Sequence, residues 1–322
     1  DNLRKNENVE IINLCDVKVV DLKKSNKNKQ VAVTDLVKYL PEKFMDNLMD
    51  TISFEVVVER ANTIKTEILV PMGDLVENVS TLYGTCIPML KEMMRSNRNM
   101  VSLMEKVRNG MNFSMYKKDI MRLNKIEEGI LHNSIWDFKE IMWMTNIYMM
   151  LRSRYINQVE QIRHYDWVDE RGIREGIDRM SMWIDEGDIY EVPMCREMNG
   201  VDIKGSVDMI DQERKILWEF KFVNDLTKEH ILQTVVYSWI MGYDLNVWKV
   251  YLFNIKTGEI LDINKITDLD KIVGDLVHQK YYIRKEKVQD DVFIQTSLQV
   301  ERKEKKQEPQ INKAKYGPIK CE

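Results

Sequence analysis

The chain has 322 residues, of which 44% are hydrophobic, so it can bury a substantial core. Its formal net charge of −4 argues against a protein that coats nucleic acid by bulk electrostatic attraction, although a local groove can still be basic. No apolar run reaches the roughly 18 residues that a membrane span needs, so we expect no membrane partner.

The cysteines and the first residue bear on the origin of the chain. Cys15, Cys86, Cys195 and Cys321 lie far apart and suggest neither a disulfide framework nor a zinc site. We therefore expect a reducing intracellular compartment, such as the cytoplasm, the nucleus or a viral replication site. The chain begins with Asp rather than Met, which suggests a piece of a longer polypeptide.

The first 134 residues divide into a polar start and a region that we expect to be mainly helical. Residues 1–30 are rich in Lys, Asn and Ser, which is typical of a loosely ordered segment. Residues 31–134 form an accessory region that opens with a helix from Thr34 or Asp35 to Leu48. A basic cluster in this region either contacts phosphate or is an ordinary solvated helix face; it comprises Lys117, Lys118, Arg122 and Lys125.

From residue 135 to residue 284 the pattern indicates a domain of strands and helices, followed by a charged, partly disordered tail at 285–322. Asn199-Gly200 is the strongest short hairpin signal in the chain. The expected elements are a helix at Glu170 to Trp183, strands at Ile189 to Met198, from Val201 and from Ile216, a helix at Lys228 to Met241, strands at Trp248 to Ile255 and Glu259 to Ile263, and a helix at Leu269 to Tyr282.

Charged residues share one face of the hairpin that joins the strands from Val201 and Ile216. A loop at 212–215 pairs Asp211 with Ile216, and counting outward places Asp208 opposite Glu219 and Ser206 opposite Lys221. The alternate positions are apolar, as expected of a sheet face buried against helices.

The preceding hairpin adds a third carboxylate. A two-residue turn at Asn199-Gly200 brings Glu191 opposite Asp208. Pro193 in the same strand predicts an edge position or a bulge, and a bulge would shift this register.

Two carboxylates beside a lysine suit metal-assisted cleavage of a phosphodiester. Mg²⁺ or Mn²⁺ prefers oxygen ligands, so Asp208, Glu219, Glu191 and the carbonyl of Phe220 are candidate ligands. Lys221 would orient or deprotonate the attacking water, or stabilise charge on the phosphorus. On the helix at Lys228 to Met241, His230 shares a face with Gln233 and Tyr237, which would let it approach phosphate.

Three segments of this domain resemble the PD-(D/E)XK nuclease superfamily, in particular its RecB-like and lambda-exonuclease-like branch. They are Gly205-Ser206-Val207-Asp208, Trp218-Glu219-Phe220-Lys221 and Gln233-Thr234-Val235-Val236-Tyr237, which resemble the GxxD, (D/E)xK and QxxxY motifs of that branch. The resemblance implies a mixed α/β, restriction-endonuclease-like αβββαβ core with a mixed central sheet flanked by helices.

The resemblance also implies residue roles. Asp208 and Glu219 would be metal ligands, Lys221 the catalytic lysine, and Gln233 and Tyr237 the residues that brace the site or bind the DNA. Val207 replaces the proline that names the motif. The family's acidic residue or histidine from an upstream helix has no secure counterpart, and Glu191 and His132 are the candidates.

These likenesses point to a Mg²⁺-dependent nuclease that acts on DNA. Val33 to Leu40 and Glu77 to Pro88 are similar to the segment that joins a superfamily 1 helicase core to a nuclease domain in large viral and some eukaryotic proteins. We therefore expect a helicase partner in the parent chain and a role in DNA replication, repair or recombination. Two alternatives stay open: an inactive nuclease-fold module that binds nucleic acid or a helicase, and a structural protein built on the helical half.

Overall fold

The computed structural model describes residues 29–60, 62–94, 117–132, 137–153, 161–184, 188–242, 245 and 247–283. For residues 117, 118, 131 and 151–153 it describes the backbone alone. The chain divides into two compact units, residues 1–277 and 278–322, and 278–283 is the described part of the second. The polar start at 1–30 lies outside the described ranges except for Lys29 and Gln30, and the tail at 285–322 lies wholly outside them.

Eight helices lie within the described ranges. They are α1 (Val33–Val37), α2 (Glu42–Met49), α3 (Ser80–Met93), α4 (Lys117–Leu131), α5 (Phe138–Ser153), α6 (Glu170–Ser181), α7 (Lys228–Met241) and α8 (Leu269–Tyr281). In this part of the chain no helix combines the length and the apolar composition needed to cross a membrane.

The ends of two helices follow from their sequences. Thr227 precedes α7 and Gly242 ends it in the left-handed conformation, as expected. The prediction of a single helix from Thr34 or Asp35 to Leu48 is wrong, because the helical conformation is interrupted between α1 and α2. Pro41 has no N–H to donate to the carbonyl of Val37, and its ring disfavours a helical conformation at Leu40.

Nine strands lie within the described ranges, and seven of them form one sheet. They are β1 (Lys29–Ala32), β2 (Ile52–Val58), β3 (Leu69–Met72), β4 (Leu75–Asn78), β5 (Ile189–Met198), β6 (Val201–Asp211), β7 (Ile216–Lys221), β8 (Lys249–Asn254) and β9 (Glu259–Ile266). The order is β1-β6-β7-β8-β9-β2, β5 pairs with the other edge of β6, and β3 and β4 form a separate hairpin.

The sheet is mixed. The pairs β1–β6 and β7–β8 are parallel, and the remaining pairs are antiparallel. The elements α6, β5, β6, β7, α7 and β8 follow one another in the order αβββαβ. The expected mixed α/β class is confirmed. The sheet also takes in β1 and β2, so the first 60 residues contribute both to its β6 side and to its far edge.

The two faces of the β6–β7 hairpin differ as the sequence predicts. Met209, Trp218 and Phe220 are buried in an apolar cluster that includes residues of α3, α5 and α6. Glu219 and Lys221 alternate with these residues along β7, and Glu219 contacts Gln233 of α7. The charged residues therefore lie between the sheet and α7.

Candidate active site

The two strands of the β6–β7 hairpin separate at Asp208, and we call this separation the fork. Asp211 pairs with Ile216 as predicted, but the ladder ends at Met209 and Trp218. Instead of a backbone pair, the Oδ2 atom of Asp208 accepts a hydrogen bond of 2.7 Å from the N–H of Phe220. The expectation that the backbone pairs continue to Glu219 and Lys221 is therefore wrong, although the carboxylate of Asp208 still lies beside β7.

β1 and β7 pair with the same edge of β6, at different stretches of it. β5 pairs with one edge of β6 along almost its whole length, so β1 and β7 must share the other edge. β1 occupies the stretch from Val201 to Lys204 and then continues into α1. β7 pairs with Met209 to Asp211 and leaves β6 at Asp208, so residues 205–208 lie between the two pairings.

Glu219 is the most buried charged residue of the site, with 1% of its surface exposed. Its Oε1 atom accepts hydrogen bonds from Nζ of Lys221 at 2.6 Å and from Nε2 of Gln233 at 2.8 Å. Burial, and after it the negative charge of Asp208, raises the pKa of the Glu219 carboxyl to about 8 against the opposing influence of Lys221. Ionisation of Glu219 therefore costs free energy in the folded protein.

Glu191 lies beside the same site. Tyr190 pairs with Met209 and Val192 with Val207, so Glu191 stands opposite Asp208 without the register shift that a bulge at Pro193 would cause. Its φ of 50° is in the left-handed region, which is strained for a residue other than glycine. The negative charge of Glu191 also contributes to raising the pKa of Glu219.

A small cavity adjoins Asp208 and contains a carboxylate that the sequence did not single out. It has a volume of about 70 Å³ and is lined by Asp208, Glu191, Tyr190 and part of α3, including Glu92. Glu92 is 3% exposed. In the sequence, Glu92 could have been noticed as the lone acidic residue in the mainly apolar stretch from Cys86 to Met94. His132, by contrast, is exposed and follows the end of α4.

The residues from α7 brace the site. Gln233 holds Glu219, and Tyr237 packs against Gly205, where an added Cβ would lie 2.6 Å from its Cε1 atom. The Nδ1 atom of His230 accepts the N–H of Thr227 at 3.1 Å, which leaves the ring proton on Nε2. Burial, and after it the positive charge of Lys221, lowers the pKa of His230 to about 4. His230 is therefore a neutral imidazole near Lys221.

The basic cluster expected on the accessory region is partly engaged. Arg122 forms two hydrogen bonds with Glu140 and lies 3.8 Å from the ring centroid of Trp143. Lys125 is exposed, and the side chains of Lys117 and Lys118 lie outside what the structure describes.

A divalent cation fits the fork. Oε2 of Glu219 is buried and has no hydrogen-bond partner, so one carboxylate oxygen is left for a cation. In a strand the N–H and C=O of one residue point to the same edge, so the carbonyl of Phe220 faces Asp208 as its N–H does. Among the described residues no three His, Cys, Asp or Glu side chains converge as a ready metal site. Mg²⁺ commonly binds through one or two carboxylates and keeps several waters.

Comparison with known proteins adds little. No family model matches the chain, and no curated protein matches it. A solved structure described as the crystal structure of SSO0001 is 22% identical over 42% of this chain and 71% of that one, with a TM-score of 0.28. That TM-score is too low for an inference about fold or function.

Proposed function

We propose that this protein is a metal-dependent nuclease of the PD-(D/E)XK type that hydrolyses phosphodiester bonds of DNA. The observation that carries the proposal is the convergence of Asp208, Glu219 and Lys221 at the fork of the hairpin. Gln233 supports it, because it bonds to the buried carboxylate from the helix that carries the QxxxY motif. A bound cation would favour the ionised form of Glu219, which burial and the charge of Asp208 disfavour in the protein alone.

In the proposed reaction the oxygen of a water molecule attacks the phosphorus and this water loses a proton to solvent, while the bond from phosphorus to a sugar oxygen breaks and the sugar oxygen takes up a proton from solvent. A divalent cation bound by Asp208, Glu219 and the carbonyl of Phe220 would supply polarisation of the phosphoryl oxygen and a lower pKa for bound water. Gln233 and Lys221 fix the orientation of Glu219.

Lys221 has a second task in this scheme. Its ammonium group donates to Oε1 of Glu219 and is partly exposed, with 16% of the side-chain surface accessible. It can therefore also donate a hydrogen bond to a non-bridging oxygen of the phosphate, where negative charge grows during attack. His230 lies close enough to Lys221 for the ammonium charge to help lower the pKa of its ring, and the neutral ring can donate from Nε2 without adding charge.

The test is cleavage of labelled single- and double-stranded DNA, and of RNA, with Mg²⁺ or Mn²⁺ and with a chelator. We expect metal-dependent cleavage that falls by about 100-fold or more in Asp208→Ala and in Lys221→Ala, because each removes a group that stabilises charge in the transition state. Asp74→Ala and Lys265→Ala are matched controls, since both residues are exposed and outside the site.

The outcome also separates the alternatives. Binding of nucleic acid without cleavage of any substrate, at any metal concentration, would refute the nuclease and favour an inactive nuclease-fold module. Cleavage that persists in both alanine variants would show that the chemistry lies elsewhere in the chain or in a contaminant.

A further inference from the structure

The cavity beside Asp208 has a polar wall made by α3. Gly84, Thr85, Pro88, Met89 and Glu92 line it from one side of the helix, and the polar side chains among them are those of Thr85 and Glu92. Its volume of about 70 Å³ exceeds the roughly 10–15 Å³ that one water molecule needs. A polar cavity of this size is a site for ordered water rather than an empty packing defect.

Two oxygen atoms on this wall can accept a hydrogen bond from such water. Within the described ranges the hydroxyl of Thr85 has no hydrogen-bond partner, although it lines the cavity. The carbonyl of Gly84 lacks its usual helical donor, because Pro88 stands four residues later and has no N–H. Gly84 and Thr85 line the same cavity as Asp208 and Glu191.

We propose that Thr85 is a positioning residue of the active site, whose hydroxyl anchors ordered water that completes the hydration of a divalent cation bound at Asp208. This inference rests on the proposed function, which places a cation there. Mg²⁺ and Mn²⁺ take part of their coordination from water when few carboxylates are available. Groups that hold such outer ligands change metal affinity by about 10–100-fold when they are removed.

The experiment measures binding of Mn²⁺ by titration calorimetry in the absence of nucleic acid. Thr85→Val removes the hydroxyl at nearly constant volume, and Thr85→Ser keeps it. Thr81→Val is the control, because Thr81 lies one turn earlier on α3, is exposed and does not line the cavity. We expect the dissociation constant for Mn²⁺ to rise by about 10-fold or more in Thr85→Val and to stay near the wild-type value in the other two variants.

Each result decides between the hypotheses. An unchanged dissociation constant in Thr85→Val, an equal loss in Thr81→Val, or a wild-type protein that binds no Mn²⁺ overturns the role of Thr85. If Thr85→Val does not fold, as judged by circular dichroism, Thr85→Ala carries the same expectation. A wild-type protein that binds Mn²⁺ but cleaves no nucleic acid refutes the proposed nuclease while the comparison at Thr85 still stands.

Discussion

Replacing Gly205 with alanine should weaken the fold and the active site together. A Cβ at this position would lie 2.6 Å from Cε1 of Tyr237, 3.2 Å from its hydroxyl and 3.0 Å from Cγ2 of Val33. Both neighbours are buried, so the contact is relieved only if α7 or α1 shifts away from β6. Overpacking of this kind costs about 1–3 kcal/mol, and each kcal/mol lowers the Tm of a large domain by about 2–4 °C.

The shift should also lower the rate of the proposed reaction. Tyr237 and Gln233 stand one turn apart on α7, so a displaced Tyr237 moves the donor that holds Glu219 at 2.8 Å. We therefore expect the kcat for DNA cleavage to fall at temperatures where the variant is still folded. A fall in the amount of folded protein alone would instead leave the rate per folded molecule unchanged.

Thermal and urea unfolding provide the assay, with Gly274→Ala as the control. Gly274 lies in α8, and the nearest atom to its added Cβ is 3.9 Å away, so alanine there should be neutral or stabilising. In the double variant with Tyr237→Leu, the cost of Gly205→Ala should shrink, because the clashing ring is gone. Wild-type stability of Gly205→Ala, or costs that simply add in the double variant, would refute the close-contact explanation.

Three further predictions concern single side chains. Gln233→Met removes a donor to Oε1 of Glu219. Since a hydrogen bond to a charged group contributes about 1.5–3 kcal/mol, the kcat for DNA cleavage should fall by about 10-fold or more, with little change in KM. An unchanged kcat would show that this hydrogen bond is dispensable. The pKa of His230 is about 4 in the folded protein and 6.5 in the unfolded chain, so the unfolded chain binds more protons between these pH values. The free energy of unfolding should therefore decrease as the pH falls from 6.5 toward 4. Urea unfolding at pH 7 and pH 4.5 should therefore show a smaller loss for His230→Gln than for the wild type, and equal losses would contradict the assignment. Asn254 is fully buried and forms hydrogen bonds with the N–H and C=O of Val223. Asn254→Leu should therefore lower the free energy of unfolding by about 1–3 kcal/mol for each group left unpaired. An unchanged urea midpoint would show that water replaces the amide.

Local rules were sufficient for much of the site. The Asn199-Gly200 turn and the loop at 212–215 fixed both hairpin registers, since a turn of given length leaves one way to pair the strands beside it. The spacing of Gln233 and Tyr237 on a helix placed both against the sheet. These inferences depend on residues close in sequence.

What the sequence could not supply depends on distant pairing. Nothing in the four residues of β1 predicts that they pair with Val201 to Lys204, on the same edge of β6 that β7 uses further along. Glu92 joins the site from more than 90 residues upstream of Glu191, so no local spacing connects the two. The left-handed backbone at Glu191 was also unforeseen, because glutamate does not favour that conformation.

The sheet that carries the candidate site is assembled from distant parts of the chain. A fragment beginning at residue 135 would contain Asp208, Glu219 and Lys221 in an unbroken stretch, but it would lack β1, β2 and α3. Without β1, the edge of β6 from Val201 to Lys204 would be unpaired and open to non-native strand pairing. Moving the motifs alone to another protein would therefore leave this sheet incomplete, and residues 29–60 belong with the domain that carries them.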